Sequence, residues 1–279
     1  MHPPERKELA ERAPIEVLPT PAEVRLALLQ HLGAPCEAAV KPRTEVALGD
    51  LIGQPTGFVS APVHASVSGE TGRNAVATLP NGRHVAVVPI KAAEEQPLSG
   101  QALYDDIYGG DWPRDGLDQY EPAQIVSAVQ AAGLVGLGGA AFPTHVKLTR
   151  NEQKPIRTVL INGCECEPYL TADYALMMAA PAPIVTGALL AQRAAGADEV
   201  IICIEDNKLD AAESLRKAAE GTPVQVRVLK TKYPQGGEKQ LTIAALGREV
   251  PTGGLPLDIG AVVLNVGTTA ALARAVVRG

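Results

Sequence analysis

The second half of the chain alternates short apolar runs with helical stretches, and this alternation strongly limits the possible folds. The runs predicted as strands are Thr158–Ile161, Val200–Ile204, Val224–Leu229 and Val262–Val266. Helices are predicted between them at Pro183–Ala194, Asp210–Glu220 and Glu238–Leu246. Nearly continuous apolar strands separated by helices are typical of a parallel sheet that is covered on both faces. Residues 122–279 are therefore predicted to form a doubly wound α/β domain.

Residues 1–92 have a different pattern, in which short β segments are separated by turns that contain Gly and Pro. The clearest segments are Val24–Gln30, Thr44–Leu48, Val63–Val67 and Val85–Ile90. They predict a small all-β barrel-sandwich domain, and this region resembles the lipoyl and biotinyl carrier domains. Such carriers need a lysine at a hairpin tip, whereas Gln54–Ser60 contains none. A structural or partner-binding role is therefore expected.

Residues 93–121 form a polar connector between the two predicted domains. Tyr104, Tyr108 and Trp112 recur at a spacing of four residues, which favours an apolar stripe that seals one domain to the other. In the barrel-sandwich region, the alternation of His64 with Val63 and Val67 favours a packed strand histidine over a catalytic one.

Composition excludes several classes of protein. The formal net charge is −6, without a stripe of Lys and Arg, so a nucleic-acid partner is not expected. No run approaches the roughly 18 apolar residues of a membrane span, and the charged, Pro-containing amino terminus does not resemble a signal peptide. The four cysteines include no C-x-x-C pair, which favours a reducing, cytoplasmic setting. Cys164 and Cys166 form C-x-C, but no further ligand lies near them in sequence, so a pocket-lining role is favoured over a metal site.

A glycine-dense segment, Gly133–Phe142, lies before the first predicted strand of the α/β domain. We call it the glycine loop. Gly136, Gly138 and Gly139 allow the backbone to approach a flat ring or a phosphate closely, and successive N–H groups attract anions. Lys147 follows and could place a positive charge beside a phosphate.

The glycine loop also matches the pattern G-x-G-x-x-G/A of dinucleotide-binding folds, which should follow a strand and open a helix. Here the preceding segment, Pro122–Ala132, has apolar residues at helical spacing, and Gly133 is a typical helix stop. The loop is therefore predicted to follow a helix, which disfavours the ordinary dinucleotide-binding interpretation.

Polar residues come directly after the predicted strand Thr158–Ile161. Asn162, Glu165 and Glu167 would lie at its carboxyl end, which is the edge where open α/β sheets bind ligands. Carboxylates repel phosphate, so these glutamates are expected to accept hydrogen bonds from ribose hydroxyls or amide N–H groups. The combination of glycine loop, lysine and glutamates predicts a nucleotide site.

Two later segments have the same character. Tyr233, Gly236, Gly237 and Glu238 precede a predicted helix, where backbone N–H groups can face an anion. Asn265 ends a predicted strand and is followed by Gly267 and Thr268. Each segment alone is a weak signal, but their recurrence at the ends of separate strands supports one shared site.

Four ordered motifs, GLVGLGGAAFPTHVKL, NGCECEPYLTAD, KYPQGGEKQL and LNVGTTAA, resemble the RnfC subunit of the Rnf electron transport complex. The amino-terminal run GFVSAPVHASVSG resembles the barrel domain of the same family, so the likeness covers essentially the whole chain. The second domain is similar to the flavoprotein subunit of respiratory complex I, which binds FMN and oxidises NADH.

The resemblance implies a role for individual residues. Gly136, Gly138, Gly139 and Lys147 match the loop against the flavin and its phosphate. Asn162, Glu165 and Glu167 match residues that meet the flavin and the nicotinamide nucleotide, and Phe142 matches an aromatic on the nucleotide side. Tyr233, Gly236 and Glu238 match a segment over the flavin ring, and Asn265 matches an asparagine near the phosphate.

The chain also departs from the related sequences. Leu137 stands where complex I has an arginine, Leu148 where it has an aromatic residue, and Cys164 where it has an acidic residue. Loss of the arginine and the aromatic residue is expected to weaken retention of FMN or NADH. Family members continue into a cysteine-rich region that binds two 4Fe-4S clusters, whereas this sequence ends at Gly279. These clusters are therefore expected only in the missing carboxyl-terminal region.

The resemblance implies a subunit of an ion-translocating, NAD-linked oxidoreductase that is peripheral at the cytoplasmic face of the membrane and binds other subunits. FMN and NAD(H) would perform the chemistry, so no catalytic side chain is predicted. One alternative is a docking scaffold with a vestigial pocket. Another is a related electron-transfer subunit that serves cobalamin reduction or an amino-acid reductase.

Overall fold

The computed structural model describes residues 3–279, and the chain divides into two compact units. The barrel unit comprises Glu16–Ile107 and Ala128–Val146. The α/β unit comprises the segment that ends at Ile15 together with Tyr108–Ser127 and Lys147–Gly279. Each unit is therefore built from segments that are separated in the sequence.

The barrel unit contains eight short strands. They are β1 (Glu23–Ala27), β2 (Glu37–Ala38), β3 (Glu45–Val46), β4 (Leu51–Gln54), β5 (Val63–His64), β6 (Gly69–Thr71), β7 (Ala75–Thr78) and β8 (His84–Ala92). One antiparallel sheet has the order β1-β8-β6-β3, with β7 also paired to β8, and the other has the order β2-β4-β5. Both sheets contribute apolar side chains to one core, which includes Val46, Ile52, Val63, Val88 and Ile90. The predicted barrel-sandwich architecture is confirmed.

Three helices follow β8 in the sequence and precede the first strand of the α/β unit. They are α1 (Gly100–Tyr108), α2 (Pro122–Ala131) and α3 (Thr144–Leu148). Helix α1 lies in the predicted connector, so that segment is more regular than its polar sequence indicates. Trp112 is buried within the α/β unit, where its indole N–H donates to the Tyr108 carbonyl (3.0 Å) and the Arg278 guanidinium lies 3.9 Å from its ring centroid. The predicted seal between domains stays a prediction.

The α/β unit is built on four parallel strands. Its elements are β9 (Thr158–Gly163), α4 (Ala172–Ala179), α5 (Pro181–Ala195), β10 (Glu199–Glu205), α6 (Leu209–Ala218), β11 (Gln225–Leu229), α7 (Glu238–Leu246), β12 (Ala261–Asn265) and α8 (Val266–Val277). The strand order is β11-β10-β9-β12. All four predicted strands are present, and the predicted parallel α/β domain is confirmed.

Helices cover the parallel sheet. Leu241 and Ala245 of α7 belong to one buried apolar cluster with Leu160 of β9 and Ile201 of β10. Helices α5 and α8 pack closely on each other and also contact β9. This leaves β9 and β10 almost completely buried, which explains their unbroken apolar sequences.

Among residues 3–279, no single helix is long and apolar enough to cross a bilayer. Helices α4 and α5 reach the required length and hydropathy only when taken together, and they are bent by 98° at their junction.

Candidate nucleotide site

The carboxyl ends of β9, β10 and β12 meet at one edge of the parallel sheet. Asn162 of β9 is the register partner of Asn265 of β12 and of Cys203 of β10. The polar residues that were predicted from separate motifs therefore come together. We call Asn162, Glu165, Asp173, Gly236 and Asn265 the strand-end site.

Asn162 links two of the predicted motifs. Its side-chain amide N–H donates to the Gly236 carbonyl (2.9 Å), and its amide oxygen accepts from the Cys164 N–H (3.0 Å). Asn162 therefore fixes the turn after β9 and holds the Tyr233–Glu238 segment against it.

Gly236 lies at a position where no side chain fits. A Cβ atom on this residue would lie 2.7 Å from the Cys164 carbonyl oxygen, which is closer than van der Waals contact permits. The two segments approach each other closely because residue 236 is glycine.

The neighbouring Gln235 is fully buried, at 0% exposure, and neither polar atom of its side chain has a hydrogen-bond partner within residues 3–279. A buried amide without a partner costs about 1–3 kcal/mol. A ligand that carries both donors and acceptors, such as the flavin ring system, fits a site with such an unpaired amide beside it.

Asn265 connects β12 to α8. Its side-chain oxygen accepts from the backbone N–H groups of Gly267 (2.8 Å) and Thr268 (3.2 Å), so it caps the amino terminus of α8. Its amide N–H donates to Asp173 (2.6 Å). Asn265 therefore ties the end of β12 to the beginning of α4.

Glu165 is only 6% exposed and caps α4. Its carboxylate oxygens accept from the backbone N–H groups of Asp173 (2.8 Å) and Tyr174 (3.1 Å). Burial and the nearby charge of Glu165 raise the pKa of Asp173 to about 7, against the opposing effect of its hydrogen bond from Asn265. The strand-end site therefore holds two acidic groups, of which Asp173 gains and loses its proton near neutral pH.

Lys147 belongs to the same unit as the strand-end site. Its ammonium group forms an ion pair with Glu238 (2.6 Å) and donates to the Val263 carbonyl (3.0 Å) on the edge strand β12. Tyr233 is exposed, as is the side chain of Glu167. The structure thus pairs Lys147 with Glu238, both predicted to be site residues.

The glycine loop belongs to the barrel unit and follows helix α2, as predicted. Val135 and Pro143 form a β-bridge, and the Gly136 N–H donates to the Phe142 carbonyl (2.9 Å). The tip of the loop is exposed at Gly138 and Gly139, and Leu137 is 64% exposed. Its predicted contacts with a flavin stay a prediction.

Other sequence predictions concern histidine and cysteine. His64 lies in strand β5, as predicted, and is half-buried; its ring nitrogens lie 2.9 Å from the Gly49 carbonyl oxygen and 2.8 Å from that of Ala131, and its packing role stays a prediction. Burial raises the pKa of the Cys164 thiol and raises that of Cys203 to about 12. Within the described part of the chain, no group of three or more His, Cys, Asp and Glu side chains could hold a metal ion.

Sequence reasoning did not identify Asp173, Gln235 or Lys7 as parts of this region. Asp173 and Gln235 lie within two of the four motifs, but their surroundings depend on how α4 and the Tyr233–Glu238 segment fold. Lys7 contacts Glu167 across 160 positions of sequence, so no local signal could reveal it.

Comparison with known proteins matches both parts of the chain to described domains. Residues 129–274 match the family model of the Nuo51 FMN-binding domain, and residues 1–95 match that of the RnfC barrel sandwich hybrid domain. An NAD+-reducing NiFe hydrogenase, solved in the H2-reduced state, is similar over 60% of this chain and 33% of its own, with 27% identity and a TM-score of 0.50. Fold and motifs therefore define a flavoprotein-type α/β domain preceded by a barrel sandwich.

Three curated relatives make the family more specific, and each is the C subunit of its complex. The chain is 42% identical to that of the Na+-translocating ferredoxin:NAD+ oxidoreductase complex of Acetobacterium woodii and 40% identical to that of the proton-translocating complex of Clostridium ljungdahlii. It is 37% identical to that of the ion-translocating oxidoreductase complex of Rhodobacter capsulatus. The matches with the A. woodii, C. ljungdahlii and R. capsulatus subunits cover 100%, 100% and 99% of this chain, respectively. This chain spans only part of each relative, namely 61%, 59% and 52% of their lengths in the same order. The chain belongs to the RnfC family.

Proposed function

We propose that this chain is the nucleotide-binding part of an RnfC-type subunit, in which FMN and NAD(H) are held at the strand-end site. Electrons would pass between NAD(H) and iron–sulfur clusters within an ion-translocating ferredoxin:NAD oxidoreductase complex. The observation that carries the proposal is that Asn162, Gly236 and Asn265, which come from separate motifs of an FMN-binding domain, converge at one sheet edge.

The residues of the α/β unit fit such a ligand. We propose that Lys147 supplies the positive charge for the FMN phosphate and that the capped amino terminus of α8, with Asn265, lies beside it. Gly236 allows close approach of the backbone, while Gln235 offers an unpaired amide. Gly136, Gly138, Gly139 and Phe142 of the glycine loop are proposed as further contacts, on the strength of the resemblance alone.

The glutamates are assigned to the nicotinamide nucleotide. The Glu165 carboxylate already accepts two N–H groups of α4, whereas the side chain of Glu167 is exposed and available to accept hydrogen bonds. When bound, FMN and NAD(H) supply the hydride and electron chemistry themselves. The protein orients them, and no residue of this chain is proposed as a catalytic acid, base or nucleophile.

The wider assembly is part of the proposal. Partners would be the other subunits of the complex and the segment that carries two 4Fe-4S clusters in the family. The protein would lie peripherally at the cytoplasmic face of the membrane.

A docking scaffold without nucleotide is a second candidate, and one observation favours it. Lys147 and Glu165 already have partners within the chain, namely Glu238 and the first N–H groups of α4. In a scaffold that binds no nucleotide, these interactions would serve only to stabilise the fold.

Direct binding of FMN distinguishes the two candidates. We expect the purified chain to bind FMN in equilibrium dialysis and Lys147→Met to weaken binding at least about tenfold, because a charge-assisted phosphate contact is lost. Lys217→Met, which changes an exposed lysine on α6, serves as the matched control and should bind as the wild type does. A folded wild-type chain that binds no FMN would leave only the scaffold.

A further inference from the structure

The first described residues of the chain lie against the loops that follow β9 and β10. Glu5, Lys7 and Glu11 each contact one or both of these loops. We call Glu5–Glu11 the amino-terminal strap. It belongs to the α/β unit, although nothing in its charged sequence predicts that it packs there.

Lys7 is the centre of the strap. Only 4% of the residue is exposed, and its ammonium group donates to the carbonyl oxygens of Leu170 (2.6 Å) and Glu167 (3.2 Å). Both carbonyls belong to the loop between β9 and α4. Burying an ammonium group is costly unless its N–H groups form hydrogen bonds. The two hydrogen bonds to the loop therefore fix the position of the Lys7 side chain.

The rest of the strap fixes its ends. The Tyr169 N–H donates to the Glu5 carbonyl (2.9 Å), and the Asn207 amide donates to the Glu5 carboxylate (3.0 Å). Glu11 lies 3.6 Å from the ammonium group of the buried Lys208. The strap is therefore attached both to the loop after β9 and to the loop after β10.

The positive charge of Lys7 also acts on a buried carboxyl group, that of Glu205. Glu205 ends β10 with 1% exposure. Burial raises its pKa to about 7, while the N–H of Lys232 and the charge of Lys7 act in the opposite direction. The charge of Lys7 thus offsets part of the effect of burial on this acidic group.

We propose that Lys7 is a positioning residue that holds the loop between β9 and α4, so that Glu165 and Glu167 keep the arrangement needed for the nicotinamide nucleotide. This inference rests on the proposed function, since it assigns those glutamates to that ligand. In this loop, Lys7 donates hydrogen bonds to the backbone carbonyls of Glu167 and Leu170 and not to the glutamate carboxylates, so its effect on binding would be indirect.

Hydrogen exchange tests whether Lys7 orders the loop. In Lys7→Met the Tyr169 amide should exchange about tenfold faster or more than in the wild type, because the loop loses two charge-assisted hydrogen bonds. Lys217→Met is the control and should leave this amide unchanged. Equal exchange in Lys7→Met and wild type would overturn the inference, whatever the protein binds.

Binding measurements on the same variants test the consequence. We expect Lys7→Met to weaken NADH binding about tenfold and FMN binding less than about twofold, since the side chains of Lys147 and Asn265 hydrogen-bond to residues outside the strap. Equal weakening of both ligands, or tighter NADH binding, would contradict the positioning role. Tighter binding would mean that the strap obstructs the site.

Two further outcomes stay informative. If Lys7→Met does not fold, Lys7→Gln keeps a neutral N–H donor at this position but loses the charge of both hydrogen bonds to the loop, so the Tyr169 amide should exchange faster than in Lys217→Met; no change would overturn the inference. If the wild type binds neither nucleotide, the role of Lys7 in binding falls together with the proposed function. The exchange result then still decides whether Lys7 orders the loop.

Discussion

The strand-end site and the glycine loop are both predicted to bind the same nucleotide, but they differ in what their residues already do. Asn162, Glu165 and Asn265 each hydrogen-bond to their own chain, capping helices or fixing turns. Gly138 and Gly139, at the tip of the loop, are exposed. Substitutions at the strand ends should therefore change stability and binding together, whereas substitutions in the loop should change binding alone.

Asn265→Ala should have the largest effect on stability. It removes the cap of α8 and leaves the partly buried Asp173 carboxyl without its donor, so we expect a loss of about 3 kcal/mol in the free energy of unfolding. Denaturant unfolding measures this loss. Asn81→Ala, at an exposed turn of the barrel unit, is the matched control and should cost about 0.5 kcal/mol or less. A similar small loss at Asn265 would mean that the strand ends are not held as described.

A pair of glycine substitutions contrasts the two regions directly. Gly236→Ala should cost about 1–3 kcal/mol, because its Cβ would lie 2.7 Å from the Cys164 oxygen. Gly139→Ala should leave stability unchanged, since nothing lies within 4 Å of the added atom. We expect it instead to weaken FMN binding about tenfold, because a methyl group would separate the backbone from the ligand. An unchanged FMN affinity in Gly139→Ala would show that the glycine loop does not contact FMN.

The raised pKa of Asp173, which lies near Glu165, predicts that the stability of the protein depends on pH. The pKa of Asp173 is raised from 3.8 to about 7 in the folded protein. Between these values the folded state retains a proton that the unfolded state has lost, so stability falls as pH rises from about 4 to 7. Asp173→Asn should remove this part of the fall and be more stable at pH 8 by about 1–2 kcal/mol. An unchanged pH profile would contradict the shielding of this carboxyl group from water.

Glu165→Gln should have a smaller effect on stability, about 1 kcal/mol, because the amide oxygen can still accept one N–H of α4. Its effect on ligands is expected to be selective, with NADH binding weakened about tenfold and FMN binding nearly unchanged. Equal losses of both affinities, measured by titration calorimetry, would disprove the role assigned to Glu165.

The same two regions show what sequence can predict. Strands β9 and β10 were recognisable because burial on both faces requires unbroken apolar runs. Strand β4 was missed because Gly53 interrupts its pattern, although a Cβ there would lie 3.0 Å from Cys36 in a tightly packed core. Asn162 and Asn265 were identifiable from their place after apolar runs. Lys7 was not, since a contact across 160 positions depends on the complete fold.

An anaerobic titration with NADH can establish whether this chain holds FMN and NAD(H) together. The intact chain is first loaded with FMN, and flavin absorbance is then followed as NADH is added, with Lys217→Met and Lys147→Met in parallel. We expect bleaching of the flavin in the wild type and in Lys217→Met, and a reduced amplitude in Lys147→Met, which retains less FMN. A folded, FMN-loaded wild type whose flavin absorbance does not respond to NADH would show that the two nucleotides do not meet in this protein.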